Sequence, residues 1–151
     1  MFRGLNTINL DAKGRLAIPT KHRERLAELC DGHLVVTIDT EERSLLIYPV
    51  NEWEIIEKQI TALPSFDKRA RRIQRLLVGH ATDVEIDSSG RILLPAALRD
   101  YAGLEKETVM IGQGKKLELW SKEAWEGTRE EYLEQVNDDS QLSEQIMSIS
   151  L

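Results

Sequence analysis

Short runs in which apolar and polar residues are interleaved occur at matching places in the two halves of this chain. Leu5, Ile8 and Leu10 stand ahead of one turn, and Val84 and Ile86 stand ahead of another. Such interleaving is typical of a strand with one buried face. Each run is followed by Asp-x-x-Gly, which suits a type I turn, and then by a second short apolar run. The pattern therefore predicts strand, tight turn, strand in each half.

Both turns belong to a longer frame of fixed residues. The frame reads Asp-x-x-Gly-Arg, three mostly aliphatic residues, Pro, and Arg four positions later, and it occupies residues 11–23 and 87–99. The copies are offset by 76 residues throughout, as from Arg15 to Arg91. Five fixed residues at constant spacing, occurring twice, indicate a tandem duplication. Because proline suits the first position of a helix, helices are predicted over 20–29 and 96–102.

The correspondence continues beyond the frame. Leu45–Tyr48 matches Leu117–Trp120, and Trp53 matches Trp125, now with an offset of 72 residues. Each half is therefore interpreted as hairpin, helix, hairpin, helix. The remaining predicted elements of the two units are strands at 34–39, 44–48, 108–111 and 116–120, and helices at 51–63, capped by Asn51, and 121–136, capped by Ser121.

Two further segments are predicted to be helical. Residues 66–79 carry an apolar stripe of Ala70, Ile73, Leu76 and Leu77, with Arg71, Arg72 and Arg75 largely off it. The preferred interpretation of these arginines is an inter-subunit or solvated face, and a DNA-binding helix is the alternative. After a loop at 137–140, residues 142–151 predict a last amphipathic helix that docks on a neighbour, with a frayed tail as the alternative.

The composition is that of a soluble globular domain, with 41% hydrophobic and 30% charged residues among 151. Each half is small for an independent core, so the copies are expected to share one pseudo-symmetric domain. No apolar run reaches membrane-spanning length and no secretory pattern is present, so no membrane partner is expected. A single cysteine, Cys30, fits a reducing cytoplasm, and the histidines show no metal-ligand spacing, so neither metal nor cofactor is expected.

The charges are unevenly distributed along the chain. The net charge is −6, which taken alone argues against nucleic-acid binding. The acids, however, are concentrated in the last third, whereas residues 1–25 hold six basic residues against Asp11 and Glu24. Local fields decide contacts with a polyanion, so the N-terminal part is a candidate DNA surface.

The first frame contains the strongest candidates for DNA contact. Lys13 and Arg15 are expected at an exposed tip beside Gly14, where a backbone can approach a phosphate closely. Arginine is also the usual bidentate reader of guanine in the major groove. The second tip has Ser89 in place of Lys13, so Arg91 is the weaker candidate. The other candidate contacts are Arg3 near the N-terminus and Lys21 and Arg23 on the first helix; the turn residue Asp11 is expected only to cap its turn.

Four stretches resemble the MraZ family of bacterial transcriptional regulators. They are residues 1–4, 11–19, 75–81 and 87–95, and the double Asp-x-x-Gly-Arg is the family signature. The resemblance implies an α+β fold in which two AbrB-type swapped-hairpin units, 1–76 and 77–151, form a pseudo-two-fold β-barrel core with flanking helices. It implies closed-ring homo-oligomers that bind double-stranded DNA at short G-rich direct repeats. It further implies a cytoplasmic, nucleoid-associated regulator of the division and cell-wall gene cluster.

The same resemblance bears on individual residues. In AbrB-like domains an arginine on the helix after the turn contacts DNA, and Arg23 matches it. Those domains also carry a basic residue two or three positions before the turn aspartate, where this chain has Ile8 and Asn9. Arg3 is the candidate to supply the missing charge.

Two other functions compete with DNA binding. Paired Asp turns suggest an aspartic protease, which needs two carboxylates that share a proton and Asp followed by Ser or Thr and then Gly. Asp11-Ala12-Lys13-Gly14 lacks that sequence, so no enzyme is predicted. An AbrB-type antitoxin or another protein-interaction module is the remaining alternative, although such antitoxins are single short units with an acidic tail.

Overall fold

The structure, a computed structural model, describes residues 1–136 and 143–151. The described residues form a mixed α+β fold, which confirms the predicted class. Its elements in chain order are β1 (Phe2–Asn9), β2 (Arg15–Ala17), α1 (Thr20–Cys30), β3 (His33–Ile38), β4 (Leu45–Pro49), α2 (Val50–Thr61), α3 (Lys68–Ile73), a π-helical segment (Gln74–Val78), β5 (Thr82–Glu85), β6 (Arg91–Leu93), α4 (Ala96–Tyr101), β7 (Glu107–Gly114), β8 (Lys116–Ser121), α5 (Lys122–Val136) and α6 (Glu144–Met147).

Six strands form one antiparallel sheet in the order β1-β7-β8-β4-β3-β5. The first strand of each half pairs with the third strand of the other half, β1 with β7 and β5 with β3. The fourth strands, β4 and β8, pair at the centre. If each strand is exchanged for its counterpart in the other half, the same order results, read from the opposite edge of the sheet. This symmetry is expected for a duplicated chain.

The remaining strands, β2 and β6, form a separate two-stranded antiparallel ribbon. Leu16 lies opposite Ile92 at its centre. The hairpin predicted within each copy is reduced in the first copy to a bridge between Leu10 and Leu16, because β2 pairs with β6 instead. The predicted barrel was wrong: the six-stranded sheet is open, with β1 and β5 as its edges.

The larger hydrophobic core lies between one face of the sheet and the ribbon with α1 and α4. Leu34, Val36 and Ile38 point into it, together with Leu16 and Ile92 of the ribbon. On the opposite face of the sheet, Trp53 of α2 packs with Val35 and Tyr48 in a smaller cluster. The π-helical segment also packs against this cluster. Successive strand residues face opposite sides, and β3 is buried at every position after His33 because both its faces are covered.

Several predicted element ends differ from the structure. Asn51 does not cap α2; the helix begins at Val50, and the Asn51 amide donates to the Leu29 carbonyl oxygen at 3.2 Å. The predicted helix starts at Thr20 and Ala96 are confirmed, and Pro19 and Pro95 each directly precede the first helical residue instead of occupying it. The cap at Ser121 is confirmed, since its Oγ accepts from the backbone N–H of Ala124 at 3.0 Å.

The predicted helix at 66–79 is divided in two. Asp67 caps α3 by accepting from the Arg69 backbone N–H at 2.8 Å, and the π-helical segment follows. Its predicted apolar stripe is only partly buried: Ala70 is buried, but Ile73 and Leu76 are each 40% exposed. At the C-terminus α6 covers only Glu144–Met147, and the predicted loop at 137–140 and Leu142 lie outside the described residues.

Glycine is required in both frames, and a substitution tests why. Gly90 has a φ of 78°, and a Cβ there would overlap the guanidinium of Arg23; Gly14, with a φ of 88°, faces Arg99 in the same way. Gly90→Ala is expected to lower the free energy of unfolding by more than the roughly 1–2 kcal/mol that left-handed backbone costs a residue with a Cβ. Gly103→Ala is the matched control, because Gly103 has a φ of 59° and open space around it. Urea unfolding measures both variants. If Gly90→Ala and Gly103→Ala lowered the free energy of unfolding equally, the packing of Arg23 on Gly90 would contribute nothing to stability.

Candidate nucleic-acid interface

The two aspartate turns have the same hydrogen bonds. Asp11 Oδ1 accepts from the backbone N–H groups of Lys13 at 2.9 Å and Arg15 at 2.8 Å. Asp87 Oδ1 accepts from those of Ser89 and Arg91, both at 2.9 Å. The capping role predicted for Asp11 is therefore confirmed. Each turn holds its arginine at the start of a ribbon strand.

These bonds also fix the ionisation of the two carboxyls. The N–H of Arg15 is the main cause that lowers the pKa of Asp11, and the N–H of Arg91 does the same for Asp87. A pair of carboxylates that shares a proton instead raises one pKa. Both aspartates therefore act as ionised turn caps, which is the opposite of what an aspartic-protease pair needs.

Arg15 and Arg91 lie on the same face of the β2–β6 ribbon. Arg15 is opposite Leu93 and Ala17 is opposite Arg91, while the alternate residues of both strands are buried. Leu93 is 52% exposed, so this outer face is open. The positive charges of both arginines lower the pKa of Asp11 and of Asp87. DNA contact was predicted mainly for the first copy, whereas the structure brings both tips to one surface.

The two arginines differ in their surroundings. Arg91 Nε lies 3.5 Å from Asp87 Oδ2. Within residues 1–136 and 143–151, no carboxylate lies within 4.0 Å of the Arg15 guanidinium. Lys13 is exposed beside Arg15, and the uncharged Ser89 holds the equivalent place beside Arg91. Arg15 is thus the more available cation of the pair.

Arg23 and its counterpart Arg99 pack across the two copies. Arg23 lies against Gly90, and its Nη2 donates to Thr20 Oγ1 at 2.7 Å. Arg99 lies against Gly14, and its Nε donates to the Leu94 carbonyl oxygen at 3.1 Å. The last arginine of each frame thus supports the other copy's turn. Arg99 was absent from the predicted sites, although the offset of 76 residues points to it.

The remaining predicted cations lie together beside the N-terminus. Arg3 of β1 and Lys21 of α1 line a shallow cavity of about 180 Å³. Arg25, which sequence reasoning did not select, lines it too; its position one turn after Lys21 was the available signal. His22 closes the floor at 3% exposure with its ring edge against Phe2, and burial lowers its pKa, so it adds no charge near neutral pH.

Two other features are absent from the residues that the structure describes. No group of three or more His, Cys, Asp or Glu side chains there is placed to hold a metal ion. None of the helices in that part of the chain has the length and apolar character needed to span a membrane.

Comparison with known proteins gives full-length matches. The profile of the family described as "MraZ protein, putative antitoxin-like" matches residues 1–76 and again residues 77–145. A protein named transcriptional regulator MraZ from Marinomonas sp. (strain MWYL1) is 53% identical over 151 residues, covering 100% of both chains. Proteins of the same name from Legionella pneumophila and Coxiella burnetii are 57% and 56% identical over 152 residues, again covering 100% of each chain.

Proposed function

Because the chain belongs to the MraZ family, and because its relatives are named transcriptional regulators, we propose that it is a transcription regulator that binds specific DNA sequences. Its family points to the genes of division and cell-wall synthesis as the targets, and to a cytoplasmic, nucleoid-associated protein. Residues 1–76 and 77–151 each contribute one swapped-hairpin unit to a single DNA-binding body.

The observation that carries the proposal is the outer face of the ribbon. Two turns fixed by buried glycines and aspartate caps present Arg15 and Arg91 at diagonal positions on one face of the ribbon, with Lys13 near Arg15. A two-stranded ribbon fits the major groove, and arginine there pairs with guanine O6 and N7. Arg3 and Lys21 add charge at the side cavity for phosphate contacts, while Arg23 acts mainly by supporting the second turn.

Assembly makes the weak contact of one ribbon effective. The ends of a tandem unit differ, so head-to-tail contacts between copies close into rings. A ring presents several ribbons in the same orientation, which fits short G-rich direct repeats about one helical turn apart. One ribbon neutralises few phosphates and binds weakly, and linking several raises affinity through effective concentration.

The salt dependence of binding tests this division between phosphate and base contacts. DNA selected from a random pool by the wild-type protein supplies the repeat-bearing fragment. Lys13→Ala is expected to weaken binding to that fragment and to a scrambled fragment alike. A plot of the logarithm of affinity against the logarithm of salt concentration should also become less steep. Its slope should fall by about 0.9 for each phosphate contact that is lost. Fluorescence titration between low and physiological salt measures both quantities.

Two outcomes of that titration would contradict the assignment. An unchanged salt slope in the Lys13→Ala protein would show that Lys13 neutralises no phosphate. A wild-type protein that selects no sequence from the pool but captures a protein partner would favour the antitoxin alternative instead.

A further inference from the structure

The outer face of the large sheet is covered unequally in the two halves. In the first half, Thr37 Oγ1 donates to the Leu77 carbonyl oxygen at 2.6 Å, and the π-helical segment lies over β3. Thr37 lies opposite Leu46 in the β3–β4 pair. The corresponding pair of residues in the second half is Ile111 opposite Glu118, on β7 and β8. There Ile111 and Glu118 line an open cavity of about 560 Å³ instead.

The cavity combines carboxylates with aromatic walls. Asp39, Glu41 and Glu42 line it together with Glu118, which is 8% exposed and accepts from the Trp120 indole N–H at 3.0 Å. Trp120 and Trp125 form part of the wall, and the buried indole N–H of Trp125 has no partner in the described part of the chain. Lys116 is the one basic residue among the lining residues. Such a site suits a guanidinium or ammonium group on an apolar stem, held by charge and by aromatic faces.

The chain carries a surface with the complementary chemistry on α3. One open groove there is lined by four basic side chains: Lys68, Arg71 and Arg72 of α3, and Arg75 of the π-helical segment directly after it. The neighbouring Ile73 and Leu76 are each 40% exposed. None of the four cations is within 4.0 Å of a carboxylate in residues 1–136 and 143–151. A cationic face with exposed apolar side chains beside it matches an acidic cavity with aromatic walls.

We propose that the basic face of α3 in one copy docks in the acidic, aromatic cavity of a second copy. Within one molecule, the bond from Thr37 to Leu77 holds the segment after α3 over the other half of the sheet, so the occupant comes from another chain. Residues 137–151 of the same chain would follow α5 in sequence, but they contain Asp138, Asp139 and Glu144 and no Lys or Arg. Like charge would oppose their entry into the cavity.

This contact specifies the interface of the oligomer proposed above and rests on that proposal. It joins unlike surfaces, so each docked copy still offers its own cavity and its own α3 to further copies. Such heterologous contacts continue until they close. The cavity and α3 both lie on the side of the sheet opposite the core that holds the ribbon, so assembly leaves the arginine face free for DNA.

Charge reversal and mixing test the contact. The first variant, Arg71→Glu/Arg72→Glu, leaves two positive and two negative side chains in the α3 groove. The second, Glu41→Lys/Gln113→Lys, changes two residues that line the cavity and whose side chains make no hydrogen bond in the structure's described part; it leaves three positive and three negative side chains there. Each alone removes the net charge that attracts the other surface, so light scattering should report a fall from the wild-type mass toward that of the 17.3 kDa chain. In a mixture the unaltered cavity of the first variant meets the unaltered α3 of the second, so pairs of chains should form. Arg25→Glu/Lys106→Glu, with the same change in net charge as the first variant, should keep the wild-type mass.

Each other result overturns the proposal in a distinguishable way. If the first variant keeps the wild-type mass, α3 is not part of the interface. If that variant also loses DNA binding, α3 is a DNA surface instead. A mixture of folded variants that stays monomeric shows that the two surfaces do not meet. A wild-type protein that is monomeric overturns the oligomer itself and this contact with it. Carbodiimide coupling of mixed light- and heavy-isotope wild-type protein should join Lys68 to Glu41 or Glu42 across chains; purely intrachain products would also refute the contact.

Discussion

Arg15→Ala is expected to abolish sequence-specific DNA binding while leaving the oligomer and its thermal stability unchanged. The Arg15 guanidinium lies on the outer face of the ribbon, and no carboxylate in the described part of the chain lies within 4.0 Å of it. A bidentate arginine–guanine pair discriminates between bases by about 1–3 kcal/mol. An assembly loses that amount at every ribbon that contacts the DNA, so the loss grows with the number of linked sites.

The matched variants separate this effect from a general loss of positive charge. Lys58→Ala removes an exposed cation from α2, which covers the opposite face of the sheet, and should bind DNA like the wild type. Arg91→Ala should be less damaging than Arg15→Ala, because Arg91 is paired with Asp87 and Ser89 adds no charge beside it. Mobility shift on the repeat-bearing fragment, with light scattering in parallel, measures both. If Arg91→Ala proves the more damaging change, the ranking of the two arginines is wrong.

The half-chain 1–76 is expected to be unfolded or to aggregate when it is expressed alone. Each of its four strands has a partner in the other half: β1 with β7, β2 with β6, β3 with β5 and β4 with β8. Only the β3–β4 pair would keep its ladder. An isolated two-stranded hairpin is at best marginally stable in water, so the half cannot form its core.

Adding the separately expressed residues 77–151 is the control for this prediction. The two halves together restore all the strand pairs, so circular dichroism and hydrogen exchange should then show slow-exchanging amides on β3 and β4. A folded half-chain that remains monomeric on dilution would contradict the interleaved sheet.

The duplication, the turns and the α+β class could be predicted from sequence because each depends on local residue preferences. Asp11 and Gly14 determine their turn whatever lies around it, since the aspartate accepts from N–H groups within four residues. The predicted start of α2 was wrong by one residue. Pro49 fixes the backbone φ angle directly ahead of the helix, so α2 begins at Val50 and the Asn51 side chain donates to the Leu29 carbonyl oxygen instead of capping.

Strand partners could not be predicted, because interleaved apolar residues identify a strand without specifying its neighbour. The open sheet and the exchange of β1 and β5 between halves follow from pairings across about a hundred residues, such as Thr7 opposite Val109. The prediction of the DNA-binding site was limited by the same lack of information about strand partners. Lys13 and Arg15 could be chosen from the turn alone, but the shared face of Arg15 and Arg91 depends on β2 pairing with β6.

The central claim is that both copies together build one DNA-binding face, and photo-crosslinking tests it most directly. A photoreactive side chain replaces Leu93 or Ala17, the exposed residues that lie opposite Arg15 and Arg91 on the ribbon. Ile55, which is 56% exposed on α2, is the control position. Crosslinks to the repeat-bearing DNA from both ribbon positions and none from position 55 are the predicted result. Crosslinks from position 17 alone, or from position 55 as strongly as from the ribbon, would contradict a shared face.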